Sequence, residues 1–374
     1  MTNQRVNWID LHPQEDAEDV AAAIRRVVDR GWFVLGPEVE GFEAEFSDAT
    51  SSQHTVSLAS GTDALTLTLR ALGIGPGDEV ITTPLSAAFT ALAIMMAGAR
   101  PVFADIDPDR LTVDPAAVEA LIGPSTAAIM PVHLYGQPAD IPALARVADQ
   151  HGLALIEDCC QAHLATCQGV PVGTTGIAAA YSFYPTKNLG AFGDGGAVCT
   201  RDAALDTRLR RLRNGGQTTR NHHTEVAAHS RLDEMQAAVL RARLPYLAGW
   251  TTRRRALAAQ YRAGLTDTRG TTNTTIVVPP ACDPGHVYHL FPLRTAARDG
   301  LRKRLHARGI DTLIHYPTPL PNQPAFADAN PNHCPVATSV CDELFSVPLY
   351  PGLTDADVTR VVGAVTDSSL GAAR

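Results

Sequence analysis

Short apolar runs alternate with helical stretches between Glu79 and Ile156. In chain order these are an apolar run at 80–81, a helix ending at Gly98, a run at 102–104, a helix at 115–122, a run at 127–132, a helix at 140–151 and a run at 153–156. Strands that alternate with helices in this way form βαβ units, and they build a mostly parallel sheet that is covered on both faces. The pattern therefore predicts an α/β fold that binds its ligand at the carboxyl ends of the strands.

The pattern changes after the middle of the chain. A length of 374 residues favours two domains at roughly 150 residues per domain. The further predicted elements are a helix from Asp16 to Arg30, strands at 181–183 and 197–200, helices at 203–214 and 232–244, a basic helix at 250–265, the polar stretch 266–275, strands at 276–278 and 287–293, and helices at 301–308 and 355–365. We expect a large α/β domain over residues 1–247 and a smaller C-terminal α+β domain over residues 248–374.

Composition excludes several classes of protein. The formal net charge is −8, from 31 basic and 39 acidic side chains, so the surface as a whole repels a polyanion and no nucleic-acid partner is expected. Seven cysteines without a CxxC pair fit neither a disulfide framework nor a zinc ribbon. The N-terminus lacks the apolar core of a signal peptide, and the longest apolar run, 87–99, is too short to cross a bilayer. These features predict a cytoplasmic protein with no membrane contact and no metal.

Residues 59–65 combine small and hydroxyl side chains where an apolar run meets the start of a helix. The first N–H groups of a helix are unpaired and lie at the positive end of its dipole, so this segment can bind a phosphate. A simple helix cap would show the same pattern. The spacing of Gly73, Gly75 and Gly77, by contrast, does not fit a dinucleotide fingerprint, and there is no GxxxxGK[ST] sequence.

Two further segments supply the groups that a phosphate-bearing cofactor would need. The apolar run 153–156 delivers Glu157 and Asp158 at its carboxyl end, and Gln161 follows. Lys187 lies among aromatic and apolar residues after the next strand, and a lysine shielded from water in this way is easier to deprotonate. A lysine, a strand-end aspartate and a helix-terminal phosphate site are together what pyridoxal phosphate (PLP) requires.

A fourth segment, residues 229–238, begins a helix. Ser230 could cap this helix, which would make the segment purely structural. Arg231 at such a position opposes the helix dipole unless an anion or a carboxylate holds it. The segment therefore allows either a structural or a binding role.

With these residues in place, the chain resembles the DegT-type sugar aminotransferases, which are PLP-dependent transferases of fold type I. The resemblance covers nearly the whole chain, and its motifs are residues 31–37, 60–65, 182–190 and 313–317. Residues 182–190, SFYPTKNLG, are the most specific of these. The resemblance implies a homodimer in which each active site is built from both subunits.

The resemblance also implies a role for individual residues. Lys187 matches the lysine that binds the cofactor covalently, Asp158 matches the partner of the pyridine nitrogen, and Gln161 matches the amide near the ring hydroxyl. The remaining matches are Gly61, Thr62 and Ser182 for the cofactor phosphate, His229 for the phosphate of the neighbouring subunit's cofactor, Arg231 for a carboxylate of L-glutamate, and His315 and Tyr316 for the sugar.

The sequence departs from the family's pattern at three places. Position 229 is histidine where the family usually has asparagine, and Cys159 and Cys160 replace small residues beside Asp158. The position at which many members stack an aromatic ring on the cofactor is Ala87, with Phe89 as the nearest aromatic residue. No stacking residue is therefore assigned.

The resemblance implies that L-glutamate donates an amino group, which the enzyme transfers to a keto group of a nucleotide-linked deoxysugar such as a dTDP-sugar. Residues 135–140 and 222–223 look more like members that act on 3-keto sugars than on 4-keto sugars. One alternative is a sugar dehydratase that uses the same cofactor with histidine in place of the lysine, against which Lys187 argues. The other is a non-catalytic, PLP-binding regulator, which would need a DNA-binding segment that the sequence does not show.

Overall fold

A seven-stranded sheet forms the centre of the protein. The computed structural model describes residues 5–12, 14–266, 275–327 and 333–367. The strands lie in the order β1-β9-β8-β5-β4-β2-β3. The neighbours β8-β5, β5-β4, β4-β2 and β2-β3 pair in parallel, whereas β9 runs antiparallel to both β1 and β8. The expected mostly parallel sheet is confirmed.

The helices and strands follow one another closely along the chain. The helices are α1 (Ala17–Arg30), α2 (Pro37–Thr50), α3 (Gly61–Leu72), α4 (Phe89–Met96), α5 (Pro115–Glu119), α6 (Ile141–His151), α7 (Ala203–Leu212), α8 (Glu234–Arg243), α9 (Leu247–Thr266), α10 (Arg298–Ala307), α11 (Pro335–Glu343) and α12 (Asp355–Thr366). The strands are β1 (His54–Leu58), β2 (Glu79–Thr82), β3 (Arg100–Phe103), β4 (Thr126–Met130), β5 (Ala154–Asp158), β6 (Thr166–Cys167), β7 (Val170–Pro171), β8 (Ala178–Ser182), β9 (Gly196–Thr200), β10 (Gln217–Thr219), β11 (His222–His223), β12 (Phe291–Arg294) and β13 (Leu344–Val347).

The sheet is buried on both faces. Ala178 and Ala180 of strand β8 belong to one apolar cluster, together with residues of helices α3 and α7. Ala179 and Tyr181, which point to the opposite side of the same strand, pack with residues of helices α2 and α8. Because successive side chains of a strand point to opposite faces, this alternation shows that helices cover both sides of the sheet. None of the helices in the described ranges is long and apolar enough to span a membrane.

The C-terminal part differs from the prediction in its strands. Residues 287–290 lie outside strand β12, because Val287 and Leu290 donate backbone hydrogen bonds to Gly136 and Tyr135 instead of joining a ladder, and Tyr288 has a φ of 48°. Residues 276–278 form only an isolated bridge, between Val277 and Arg294. Strand β13 and helix α11 were not predicted. Residues 267–274 of the predicted polar stretch lie outside the described residues.

The N-terminal segment joins the C-terminal part. Val6 donates a backbone hydrogen bond to Gly309 and accepts one from Asp311, and it is buried in the core that helices α9, α10 and α12 share. Helix α9 begins at Leu247, directly after a 3₁₀ turn at Leu244–Tyr246 that contains Pro245. The division into domains at residue 247 stays a prediction.

Candidate active site

A cavity of about 740 Å³ opens at the carboxyl ends of strands β5 and β8. Eight of the ten residues that the sequence proposed for the site line this cavity: Gly61, Thr62, Asp158, Gln161, Ser182, Lys187, His315 and Tyr316. The first six come from the large α/β part, and the last two come from the C-terminal part. The fold therefore brings together side chains that are up to 255 positions apart in sequence (316 − 61).

The start of helix α3 forms one end of the cavity. Ser60 has an extended backbone, and its hydroxyl accepts a hydrogen bond from Asp63 N at 3.1 Å. The backbone N–H groups of Gly61 and Thr62 donate to no acceptor among the described residues, so they are available to a ligand. Two free amides at a helix N-terminus fit the phosphate of PLP.

Asp158 is the last residue of strand β5 and is held at both carboxylate oxygens. Thr90 Oγ1 donates to Oδ2 at 2.8 Å, and the backbone N–H of Cys160 donates to Oδ1 at 3.1 Å. These two bonds fix the orientation of a buried carboxylate, which suits it to pair with a protonated pyridine nitrogen. Sequence reasoning missed Thr90, because it lies 68 positions before Asp158 and nothing in its local pattern distinguishes it.

Lys187 lies in the loop after strand β8, and its side chain is half-buried. The amino group has no hydrogen-bond partner among the residues that the structure describes. Burial lowers the pKa of Lys187, against the opposing influence of Cys160 and Asp158. A larger fraction of this amine is therefore uncharged at neutral pH, as a nucleophile for an aldehyde requires.

Gln161 connects the two parts of the chain. Its Oε1 accepts a hydrogen bond from Tyr135 N at 2.7 Å, and its Nε2 donates to the hydroxyl of Tyr316 at 3.2 Å. The hydroxyl of Tyr135 in turn donates to the carbonyl oxygen of His315. Burial raises the pKa of Tyr316 to about 12. This hydroxyl therefore stays protonated and can donate a hydrogen bond to a ligand in the cavity.

His315 lies on the part of the cavity wall that comes from the C-terminal part of the chain. Its Nδ1 lies 3.2 Å from the hydroxyl of Ser346, and its ring packs on Trp8 with the centroids 5.2 Å apart. Burial and the nearby Lys187 lower the pKa of His315 to about 4, so the imidazole is neutral at pH 7. Trp8 also lines the cavity. Sequence reasoning missed this residue because an N-terminal tryptophan carries no local signal of a site.

His229 and Arg231 do not line this cavity. They are hydrogen-bonded to each other. Ser230, between them, donates to Asp63 at 2.7 Å and accepts from the backbone N–H of Ala59 at 3.1 Å. The interpretation of Ser230 as a helix cap is wrong, because its hydroxyl holds this segment against the first turn of helix α3, and helix α8 begins only at Glu234, with Asp233 at its N-cap.

A separate buried group contains ligand types that metals prefer, namely His133, Glu157 and Cys159. Its polar atoms already have protein partners: His133 Nε2 donates to Glu157 at 3.1 Å, and Glu157 also accepts hydrogen bonds from the backbone N–H groups of Gly173, Thr175 and Gly176. We interpret this group as part of the buried support beneath Asp158.

The chain is similar over nearly its whole length to named proteins. Residues 14–366 match the DegT/DnrJ/EryC1/StrS aminotransferase family. A Streptomyces venezuelae protein named dTDP-3-amino-3,4,6-trideoxy-alpha-D-glucose transaminase is 48% identical over 367 residues, covering 97% of this chain and 96% of the relative. The erythromycin biosynthesis sensory transduction protein EryC1 of Saccharopolyspora erythraea is 47% identical over 366 residues, covering 96% and 98%.

Solved structures are similar as well. The crystal structure of S. venezuelae DesV in complex with a ketimine intermediate has a TM-score of 0.93 and 48% sequence identity, and the match covers 97% of this chain and 98% of that one. The structure of NtdA from Bacillus subtilis with bound cofactor PMP has a TM-score of 0.90 at 29% identity, covering 96% and 84%.

We expect the substitution Gly61→Ala to weaken the binding of PLP. An added Cβ would lie 2.7 Å from Cβ of Ser182 and 2.9 Å from Sγ of Cys160, so the start of helix α3 and its free amides would have to shift. The dissociation constant of PLP, titrated by absorbance with the cofactor-free protein, should rise about 10-fold or more. Gly363→Ala is the matched control, because its Cβ would meet no atom within 4 Å. An unchanged dissociation constant for Gly61→Ala would contradict the phosphate site.

Proposed function

Because the chain belongs to the DegT/DnrJ/EryC1/StrS aminotransferase family, it is a PLP-dependent aminotransferase that acts on nucleotide sugars, and we propose that it transfers the amino group of L-glutamate to C3 of a dTDP-linked 3-keto-deoxysugar. The observation that carries this proposal is the half-buried, unpaired amine of Lys187 in one cavity with Asp158 and the free amides of helix α3. A dehydratase of this family would need no such lysine.

Each group in the cavity has a defined task in this proposal. The N–H groups of Gly61 and Thr62 bind the phosphate, and Asp158 keeps the pyridine nitrogen protonated. A charge pair about 4 Å apart contributes about 4 kcal/mol at an effective dielectric constant near 20, which is enough to hold that nitrogen charged at neutral pH. When bound, PLP withdraws electrons from the carbon that carries the amine and makes its proton acidic.

Lys187 Nζ has two tasks, first as the nucleophile that attaches the cofactor and later as the base that takes the proton from the donor's α-carbon. The same nitrogen then returns a proton during the amination of the sugar. Tyr316 and His315 lie on the wall where the sugar would bind. Tyr316 can donate a hydrogen bond to a sugar oxygen, because its own hydroxyl oxygen already accepts one from Gln161.

Replacement of Lys187 by alanine should abolish amino transfer. The sequence contains only two lysines, Lys187 and Lys303, and Lys303 is exposed on helix α10. In the wild type, L-glutamate should remove the visible absorption band of the bound cofactor, and 2-oxoglutarate should restore it. We expect Lys187→Ala to slow this exchange by at least about 10³-fold, whereas Lys303→Ala should exchange at the wild-type rate.

Borohydride reduction gives an independent measurement of the same assignment. Reduction of the loaded wild-type enzyme should attach the cofactor mass to the peptide that contains Lys187, and mass spectrometry distinguishes this peptide from the one that contains Lys303. Retained exchange in Lys187→Ala, or a label on Lys303, would refute the assignment of Lys187.

The preference for a 3-keto sugar rests on relatives and on two segments of this chain. Relatives that are 48% and 41% identical carry names that specify a 3-amino sugar. The first segment is residues 135–140, of which residues 135 and 136 lie in the buried turn that Gln161 holds. The second is residues 222–223, which form strand β11 of the exposed hairpin with strand β10. Neither pair lines the main cavity, so we propose that residues 135 and 136 act on the sugar through Gln161 and that the hairpin acts across a subunit interface.

We expect kcat/KM for a dTDP-3-keto-6-deoxysugar to exceed that for the 4-keto isomer by about 10²-fold. Only the 3-keto isomer would place its carbonyl carbon at Lys187 while the diphosphate keeps its position. The two isomers should be compared with the enzyme preloaded with the amino group, and the aminated product identified by mass spectrometry and NMR. Equal turnover, or preference for the 4-keto isomer, would contradict this specificity.

We further infer a homodimer with shared sites. His229 and Arg231 lie outside the cavity of their own protomer, and large apolar side chains are exposed at Trp32, Phe33 and Phe89. Exposed apolar patches commonly mark protein interfaces, and soluble oligomers are mostly symmetric dimers. In this arrangement, Arg231 reaches a carboxylate of L-glutamate in the neighbouring subunit.

A mixture of two inactive variants should regain activity if the sites are shared. In a hybrid of Lys187→Ala and Arg231→Ala subunits, one site has both lesions and the other has none. After denaturation and random reassembly, half of the dimers are hybrids, so the mixture should recover about a quarter of the wild-type exchange rate with L-glutamate. Each variant refolded alone is the control. A mixture no more active than the two controls would contradict the shared site.

A further inference from the structure

Arg254 is a buried cation without a carboxylate partner in the described part of the chain. It lies on helix α9, and only 4% of its surface is exposed. Its Nη1 donates to the carbonyl oxygens of Tyr288, His289 and Leu349 at 3.2, 3.4 and 2.9 Å. Its neighbour Arg253, in contrast, pairs with Asp355 at 2.8 Å. The positive charge of Arg254 is thus met only by neutral carbonyl groups.

The charge persists at neutral pH. Burial lowers the pKa of Arg254 to about 10, which still leaves the guanidinium protonated. A buried ion without a counter-ion is costly, and hydrogen bonds to carbonyl oxygens offset only part of this cost. The Nη2 group donates no hydrogen bond to any described residue, so its two N–H donors are available to an anion.

Arg254 is placed next to the reacting centre. It lines the main cavity, and together with Ile9, Thr186 and Lys187 it also lines an adjoining cavity of about 450 Å³. Burial, together with the charges of Lys187 and Arg254, lowers the pKa of His289 well below its usual range. Because His289 is neutral, it neither competes with Arg254 for an anion nor compensates its charge.

We propose that Arg254 binds the α-carboxylate of the amino donor. This inference rests on the proposed function and deepens it. In an amino acid, the carboxylate is bonded directly to the carbon that loses its proton to Lys187, so the cation that meets it must lie beside that lysine. The phosphate of PLP is assigned to the start of helix α3, and in a 3-keto sugar the diphosphate is attached two carbons away from the reacting carbon. L-Glutamate would thus meet two arginines, with its α-carboxylate at Arg254 and its side-chain carboxylate at the partner subunit's Arg231.

The proposal predicts that the two half-reactions respond differently to Arg254→Gln. Glutamine keeps hydrogen-bond donors for the carbonyl oxygens but lacks the charge. The dissociation constant of glutarate, measured by calorimetry with the PLP-loaded enzyme, should rise about 10- to 100-fold, and KM for L-glutamate should rise by a similar factor. Amination of the keto sugar should change less than about threefold. Arg254→Lys should recover part of the affinity for glutarate, and Arg253→Lys is the matched control.

Three outcomes would overturn the proposal. One is glutarate affinity that stays at the wild-type value in both Arg254 variants. The second is an equal loss in both half-reactions, which would show that Arg254 only supports the fold of the site. The third, relevant if Arg254→Gln does not fold, is an Arg254→Lys variant whose losses in glutarate affinity and sugar amination are equal. If the wild type does not exchange with L-glutamate, the proposed donor is wrong, and the glutarate titration still tests Arg254 on its own.

Discussion

The active site depends on how closely the start of helix α3 approaches the strand ends. A Cβ on Gly196 would lie 2.3 Å from the backbone of Ser60, and a Cβ on Gly61 would lie 2.7 Å from Ser182. Only glycine allows this contact, because any side chain at either position would push the helix away from the sheet. The contact places two free backbone amides in the same cavity as the carboxylate at the end of strand β5 and the lysine after strand β8.

The polar groups around this cavity fall into two kinds. Asp158 and Gln161 are held by hydrogen bonds from Thr90, Cys160 and Tyr135, so their orientation is fixed before any ligand binds. Lys187 and the guanidinium of Arg254 are less completely satisfied within the described residues. Such a division suits an enzyme that must recognise two substrates in turn, since rigid groups orient the cofactor while Lys187 stays free to react and Arg254 stays free to bind an anion.

The central sheet could be predicted because its strands are buried on both faces and therefore form continuous apolar runs. The same reasoning failed near residues 287–290 and 344–347. The first segment is apolar but bonds to the turn at Tyr135 and Gly136, and the second is a buried strand that was not recognised. For both, the pairing partner is remote in sequence, so the hydrogen-bonding pattern is set by tertiary contacts. The role of Ser230 was misjudged for the same reason, because its partner Asp63 is 167 positions away.

The sequence alone determined the cofactor and the family: local strand and helix patterns placed a lysine, an aspartate and a phosphate site together, and the resemblance of motifs such as residues 182–190 implied the family and the residues expected to bind the cofactor. Asp158 ends strand β5 and Lys187 follows strand β8, and parallel strands bring their carboxyl ends to one edge of a sheet. Only the tertiary structure decided which further groups support them. Thr90 orients Asp158, Trp8 packs on His315, and Arg254 brings an uncompensated charge beside Lys187. Each of these acts across a long stretch of chain, and a contact between residues remote in sequence leaves no periodicity or spacing to detect.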